Sequence, residues 1–209
     1  MPAPPMPFVP ADQHGKLSVM ALVCYAGPAA AGERALAPFR ALATPLVDMV
    51  QAGPYSSMFP PEEESYHPTA VSRTMYVDHV GQAEATTVME HLSAGTAFMN
   101  VTQLRVLGGA ASRVGPDETA YAHRDAKIMV NVAAMYADPT TRPAHEEWVA
   151  GLSTALNQGD DSGYVGFVGD EGIAGVRRAY PGATGERLAE IKRQYDPTNL
   201  FRLNQNIAP

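Results

Sequence analysis

Residues 127–136 read KIMVNVAAMY and residues 71–77 read VSRTMYV. The first is a run of valine and long apolar side chains. The second alternates, with Val71, Arg73, Met75 and Val77 on one side. Both predict β-strands, because successive side chains of an extended chain point to opposite faces of a sheet. TAFMNVTQLRV, residues 96–106, predicts another strand. LSVMALVCY, residues 17–25, predicts a buried one that stops before Gly27 and Pro28, and GYVGFVG, residues 163–169, a short glycine-broken one.

Helical periodicity alternates with these runs. Residues 83–92 place Ala85, Val88, Met89 and Leu92 on one face, and residues 143–156 align Trp148, Val149, Leu152 and Leu156 behind an early Pro143. Residues 184–194 carry Leu188 and Ile191, with Tyr195 just beyond, on one stripe and Thr184 as the expected N-cap. Residues 29–42 are helical in character, with Pro38 kinking or restarting the helix. Asp170 and Glu171 are expected to cap the helical stretch EGIAGVRRAY. The expected fold class is α+β: an antiparallel sheet with helices packed on one face. Several strands carry few charges on either face, so the second face also calls for a cover, from an oligomer partner or another domain.

Bulk properties narrow the function. The 209 residues carry a formal net charge of −7 at pH 7, the opposite of what neutralising a phosphate backbone requires, so no nucleic-acid partner is expected. No run of about 18 apolar residues predicts a membrane-spanning helix, and the proline-rich opening MPAPPMPFVPADQHG lacks the basic and apolar regions of a secretory signal. A cytoplasmic location without membrane association is the expectation. Cys24, the single cysteine, lies in an apolar run and reads as a buried, inert thiol. The six histidines are isolated from one another and from Cys24, so no metal site is expected. GGAAS and GFVGDEG have neither dinucleotide nor phosphate-loop spacing. No self-contained catalytic machine emerges, and no catalytic residue is assigned.

The ending RLAEIKRQYDPTNLFRLNQNIAP resembles the C-terminal signature of the berberine-bridge-enzyme-like FAD-linked oxidases, within the vanillyl-alcohol-oxidase group of flavoproteins. HGKLSVMALVCYAG, PFRALATPLVDMVQAGPYSSM, LGGAASRVGPDETAYAHRDAKIMVNV and YVGFVGDEGIAGVRRAYPGATGERLAEIKRQYDP follow in the order of that family's second half. The resemblance implies a substrate domain and a C-terminal segment that docks back on an FAD-binding domain. Nothing in this sequence matches that N-terminal domain, which is therefore expected to be absent from the chain. Expected boundaries are an extended lead-in at 1–15, a substrate-binding α+β domain at 16–160 and the berberine-like segment at 161–209.

Site residues follow from the same resemblance. Tyr121, Asn131, Tyr164 and Phe167 are expected to line a substrate pocket, and Gly166, Asn204 and Asn206 to lie at the cofactor. Two positions depart from the family pattern. Gly166 stands where relatives have a flavin-approaching asparagine, and Phe167 where many have a tyrosine base; without a hydroxyl it removes no proton. Asn131 aligns with a catalytic glutamate of plant members and reads either as a substrate or flavin contact or as a structural hydrogen bond. Phe167 reads as a core aromatic or a stacking surface. His123 and Arg124 read as ties between a loop and the sheet edge. The implied cofactor is FAD, not held by this chain alone. The implied activity is hydride transfer from a small-molecule substrate to flavin, with oxygen as final acceptor. The alternative is a non-catalytic module, either one subunit of a split flavoenzyme or an inactive remnant, with an FAD-domain polypeptide or a second copy as partner. A cofactor-free α+β enzyme is a third reading.

Overall fold

The computed structural model describes residues 1–59, 68–169 and 171–209. It divides into two units, Met1–His67 and Pro68–Pro209.

In the first unit the helix α1 spans Ala29–Arg40, entered through Pro28, and Pro38 lies within its last turn. Arg40 anchors its end: Nε reaches Asp48 at 2.6 Å, Nη1 reaches Glu33 at 2.7 Å, and Nη2 donates to the Val50 carbonyl at 3.0 Å. The strand expected at 17–25 does not form. Only an isolated bridge joins Pro2 to Leu17, and Val19 is 94% exposed. The bridge is antiparallel, with Ser18 meeting Met1 and Lys16 meeting Ala3, so the rest of the run extends past Met1. Residues 19–25 find no strand to pair with among the described residues, so no ladder propagates. Cys24 is accordingly exposed, not buried.

The second unit is built on a three-stranded antiparallel sheet: β1 Thr69–Val77, β2 Met99–Val106 and β3 Ile128–Tyr136, in the order β1-β3-β2. The register sets Met75 opposite Val130 and Arg73 opposite Val132. Pleating therefore sorts Val71, Met75, Val77, Val130, Val132 and Ala134 onto one face. Helices α2 (Gln82–Ala94) and α3 (Arg142–Leu156) pack on that face, where Val149, Leu152 and Leu156 complete the core. The Trp148 indole donates to the His91 carbonyl at 2.9 Å and joins the two helices. On α2 the buried side is the expected one only in part. Leu92 is buried and Val88 half-buried, but Ala85 and Met89 face solvent while Thr87 and His91 turn inward. His91 earns that position through Nδ1, 3.0 Å from the Thr87 carbonyl.

Two short helices follow, α4 (Gly172–Ala179) and α5 (Gly182–Tyr195). Residues 163–169 are not a strand; Val165–Phe167 form one 3-10 turn. The glycines allow it: a Cβ on Gly163 would lie 3.3 Å from the Thr74 methyl, so this backbone passes directly against β1. Thr184 does not cap α5. The helix starts two residues earlier behind Pro181, and Thr184 is buried within it. Glu171 occupies the N-cap position of α4 without a side-chain capping bond and pairs instead with Arg178. Asp170 lies outside the described residues.

The sheet's second face is covered in part by this same chain. Thr74, Tyr76, Asn131 and Ala133 are buried there. The Arg178 guanidinium donates to the Thr74 carbonyl at 2.6 Å, and Tyr76 stacks on His123 with centroids 4.8 Å apart. The expectation that only a partner or another domain would cover that face was therefore too strong. The short glycine-rich turn expected as one more strand instead lies over the sheet.

After α5 the chain orders itself around Asp196. Its carboxylate pairs with Lys192 and accepts the N–H groups of Leu200 at 2.7 Å and Phe201 at 3.0 Å. Lys192, then the two N–H groups, hold this carboxyl below its usual range. Asn199 takes the left-handed backbone that closes the turn, at φ 53°. Yet Leu200, Phe201 and Leu203 remain exposed, the last at 85%. The terminus is organised without being buried.

Candidate functional site

Arg105 and Met129 face each other across β2 and β3 on the second face. With Tyr121, His123, Arg124 and Tyr164 they line a cleft of about 400 Å³. The segment 121–124 reaches it from the loop before β3, and Tyr164 from the turn that crosses β1. The rings form a ladder: Tyr121 and Tyr164 meet edge-on at 6.0 Å, and Tyr164 and Phe167 are tilted to each other at 5.9 Å. Arg105 lies 4.4 Å above the Phe167 ring, and Arg124 4.9 Å above that of Tyr121.

Hydrogen bonds fix most of these groups. Arg124 donates to the Tyr121 and Ala111 carbonyls, each at 3.1 Å, and to the Thr119 hydroxyl at 2.6 Å. His123 Nε2 donates to the Ala179 carbonyl at 3.1 Å. Burial lowers the His123 pKa and keeps the ring neutral, against the smaller opposing pull of the Ala179 carbonyl and Asp160. The Tyr76 hydroxyl donates to the Tyr121 hydroxyl at 3.3 Å. Burial first, then that bond, pushes the Tyr76 pKa far up, so Tyr76 stays a neutral donor.

The sequence-derived residues separate into two groups. Tyr121 and Tyr164 line the cleft, and Phe167 lies beside Tyr164 with its ring tilted. Asn131 is buried in the centre of the second face, opposite Thr74, and both Asn131 Oδ1 and Thr74 Oγ1 lack a hydrogen-bond partner. Gly166 is exposed; a Cβ there would lie 2.8 Å from the Tyr164 ring, so a side chain at 166 would displace that tyrosine. Asn204 is exposed in left-handed backbone at φ 57°, and Asn206 keeps a buried, unpaired Oδ1. The amide that ties the tail down is Gln205, donating to the Val168 and Gly169 carbonyls at 2.9 Å each. Gln205, Arg105, Tyr76 and Arg178 carry no motif, and only the three-dimensional register of the strands and the tail reveals them.

The cleft has the size a drug-sized molecule fills. Gly108 and Gly109, both at positive φ, lead only into the 3-10 turn Ala111–Arg113, and a dinucleotide's phosphates are ordinarily cradled at the start of a full helix. No group of residues suited to hold a metal ion occurs among the described residues.

The His123 environment sets one pH dependence. Its folded pKa lies below the ordinary value of about 6.5, so the unfolded chain takes up the proton first as pH falls. Stability of the larger unit is expected to decline from about pH 6.5 downward. The lowered carboxyls of Glu84, Asp138 and Asp196 lose their contribution only below about pH 4.5. Urea midpoints measured from pH 8 to pH 5 should fall less steeply in His123→Gln than in the parent; parallel curves would exclude His123 as the cause.

Sheet and helices together have the fold of FAD-linked oxidases. A chitooligosaccharide oxidase structure superposes with a TM-score of 0.61 at 22% identity, over 88% of this chain and 45% of the other. Berberine bridge enzyme from Eschscholzia californica superposes with a TM-score of 0.59 at 19% identity, over 70% of this chain and 34% of that one. Residues 164–208 match the family described as berberine and berberine like. A Bacillus subtilis (strain 168) protein named uncharacterized FAD-linked oxidoreductase YgaK is 29% identical over 195 residues, 91% of this chain and 43% of its own length. Chitooligosaccharide oxidase from Gibberella zeae is 30% identical over 116 residues, 51% of this chain and 24% of its own. The chain thus carries a berberine-like segment and is similar to a C-terminal part of FAD-linked oxidoreductases, spanning less than half the length of these relatives. No described helix is long and apolar enough to cross a membrane.

Proposed function

We propose that this chain is the substrate-binding and C-terminal part of an FAD-dependent oxidoreductase, in which a small-molecule substrate gives a hydride to flavin and oxygen is the final acceptor. The chemistry that flavin supplies is the acceptance of that hydride. This chain's residues bind and orient the substrate. The observation that carries the reading is the cleft of Arg105, Tyr121 and Tyr164 on the second face of a sheet shared with FAD-linked relatives. The cofactor is gripped by a separate FAD-binding portion, and the tail docks there. Leu200, Phe201 and Leu203 stand exposed on a turn that Asp196 already holds, so docking costs little ordering.

Purified by itself, the chain is expected to show no stable visible flavin absorption and no turnover. Co-expressed with a separate polypeptide carrying the FAD-binding portion of a relative, it is expected to co-purify with that polypeptide and with flavin. Leu203→Asp should weaken the pairing at least about tenfold, since a charge would be buried unpaired at the interface. A chain that alone holds flavin in equal amount and oxidises substrate would overturn the reading.

A further inference from the structure

We propose that the cleft on the second face is a site for a small ring-bearing molecule that carries a carboxylate, held by Arg105 and the Tyr121 hydroxyl, with Arg124 as a second positive charge. As a choice of substrate class this rests on the function proposed above; as a binding site it does not, and the two fail separately.

Charge comes first. The chain carries a formal net charge of −7, yet two guanidiniums line this cleft and no carboxylate does among the described residues. Neither Arg105 nor Arg124 takes part in an ion pair with a described residue. Arg105 gives one N–H to Gln103 Oε1 at 3.1 Å, and its other N–H groups find no acceptor among the described residues. It is nevertheless positioned, 4.4 Å above Phe167. A guanidinium fork placed this way, with its charge uncompensated, matches the two oxygens of a carboxylate.

Donor and acceptor accounting points the same way. Tyr121 accepts the Tyr76 proton at 3.3 Å, which leaves its own O–H to donate. His123 spends its Nε2–H on Ala179 and adds no charge. The polar side chains in the cleft thus offer donors with few acceptors, and a ligand rich in acceptors and negative in charge complements them. The aromatic walls that Tyr121 and Tyr164 give the cleft suit a ring as the body of that ligand. Aromatic acids and sugar acids share this chemistry.

Isothermal titration of the full chain separates the sources. The probes are benzoate and glucuronate, their neutral counterparts benzyl alcohol and glucose, and FAD as competitor. At least one acid is expected to bind roughly tenfold or more tightly than its neutral counterpart, as a charge-assisted hydrogen bond would give, and added salt should weaken it. Arg105→Gln should remove most of that preference, and Tyr121→Phe should reduce affinity several-fold. Arg105 is exposed near the end of β2, and an unchanged urea midpoint will show that its replacement leaves the fold intact. Which acid binds identifies the ring. Equal binding of acid and neutral probe, no binding of either acid, or displacement of the acid by FAD would each overturn the proposal. Failure of the chain to pair with an FAD-binding polypeptide would leave it standing.

Discussion

Arg178→Met is expected to destabilise the larger unit by about 3 kcal/mol, the low end of the roughly 3–5 kcal/mol seen when one partner of a buried charge pair is removed. The Arg178 side chain is only 9% exposed. It donates to three carbonyls, of Thr74 at 2.6 Å, Asp161 at 2.7 Å and Ser162 at 3.4 Å, and it pairs with Glu171. One side chain thus fastens α4 and the 161–163 turn to the edge strand β1. Methionine keeps the apolar bulk but leaves the Glu171 carboxylate and the Thr74 carbonyl without their donor. The Glu171 side chain is 26% exposed, which softens the loss and places it at the low end. Glu171→Met in the same chain should restore part of the stability, because no stranded carboxylate remains. Urea unfolding of the single and double variants measures both quantities. A single-variant loss below about 1 kcal/mol would mean that the clasp is an ordinary surface contact. Since the clasp also holds the turn that carries Tyr164, carboxylate binding should weaken in the variant even where it is fully folded.

The core face of the sheet was legible because its signal is local. Alternation in residues 71–77 and the apolar run at 127–136 set the pleat, and the pleat alone decides which side chains share a face. The failed strand at 17–25 shows what such a signal omits. Apolar content states that a segment can be buried, but a strand also needs a neighbour to pair with, and past the bridge from Pro2 to Leu17 the run has none among the described residues. Residues 163–169 failed for a different reason. Their β-branched side chains suggested extension, whereas Gly163 permits close approach to Thr74 and the turn becomes a cover for the sheet. Of the site, Tyr121 and Tyr164 could be named from the resemblance. Arg105 could not, since its position above Phe167 depends on bringing together residues 62 apart in the chain. Tyr76 was hidden likewise, because the Tyr76–Tyr121 bond joins a strand to a loop that no periodicity links.

Leu152→Ala should produce the largest stability loss, about 4 kcal/mol, within the roughly 2–5 kcal/mol range for Leu→Ala in cores. Leu152 is fully buried in the C-terminal half of α3, in the cluster formed with Met75, Val77, Val130 and Val132. Three of those four neighbours are valines on paired strands, stiff at χ1 and held by the ladder, so the cavity cannot collapse. Leu152→Met, nearly equal in volume, should cost less than about 1.5 kcal/mol, which separates lost packing from lost identity. The comparison with Arg178→Met distinguishes the two faces of the sheet. The Leu152 cavity lies on the helix side, so acid binding by the folded fraction should remain near the parent value while the urea midpoint falls sharply. Arg178→Met should lower both. If Leu152→Ala instead abolished binding in chains still folded, the sheet would transmit strain between its faces, and the division into a packing face and a binding face would be wrong.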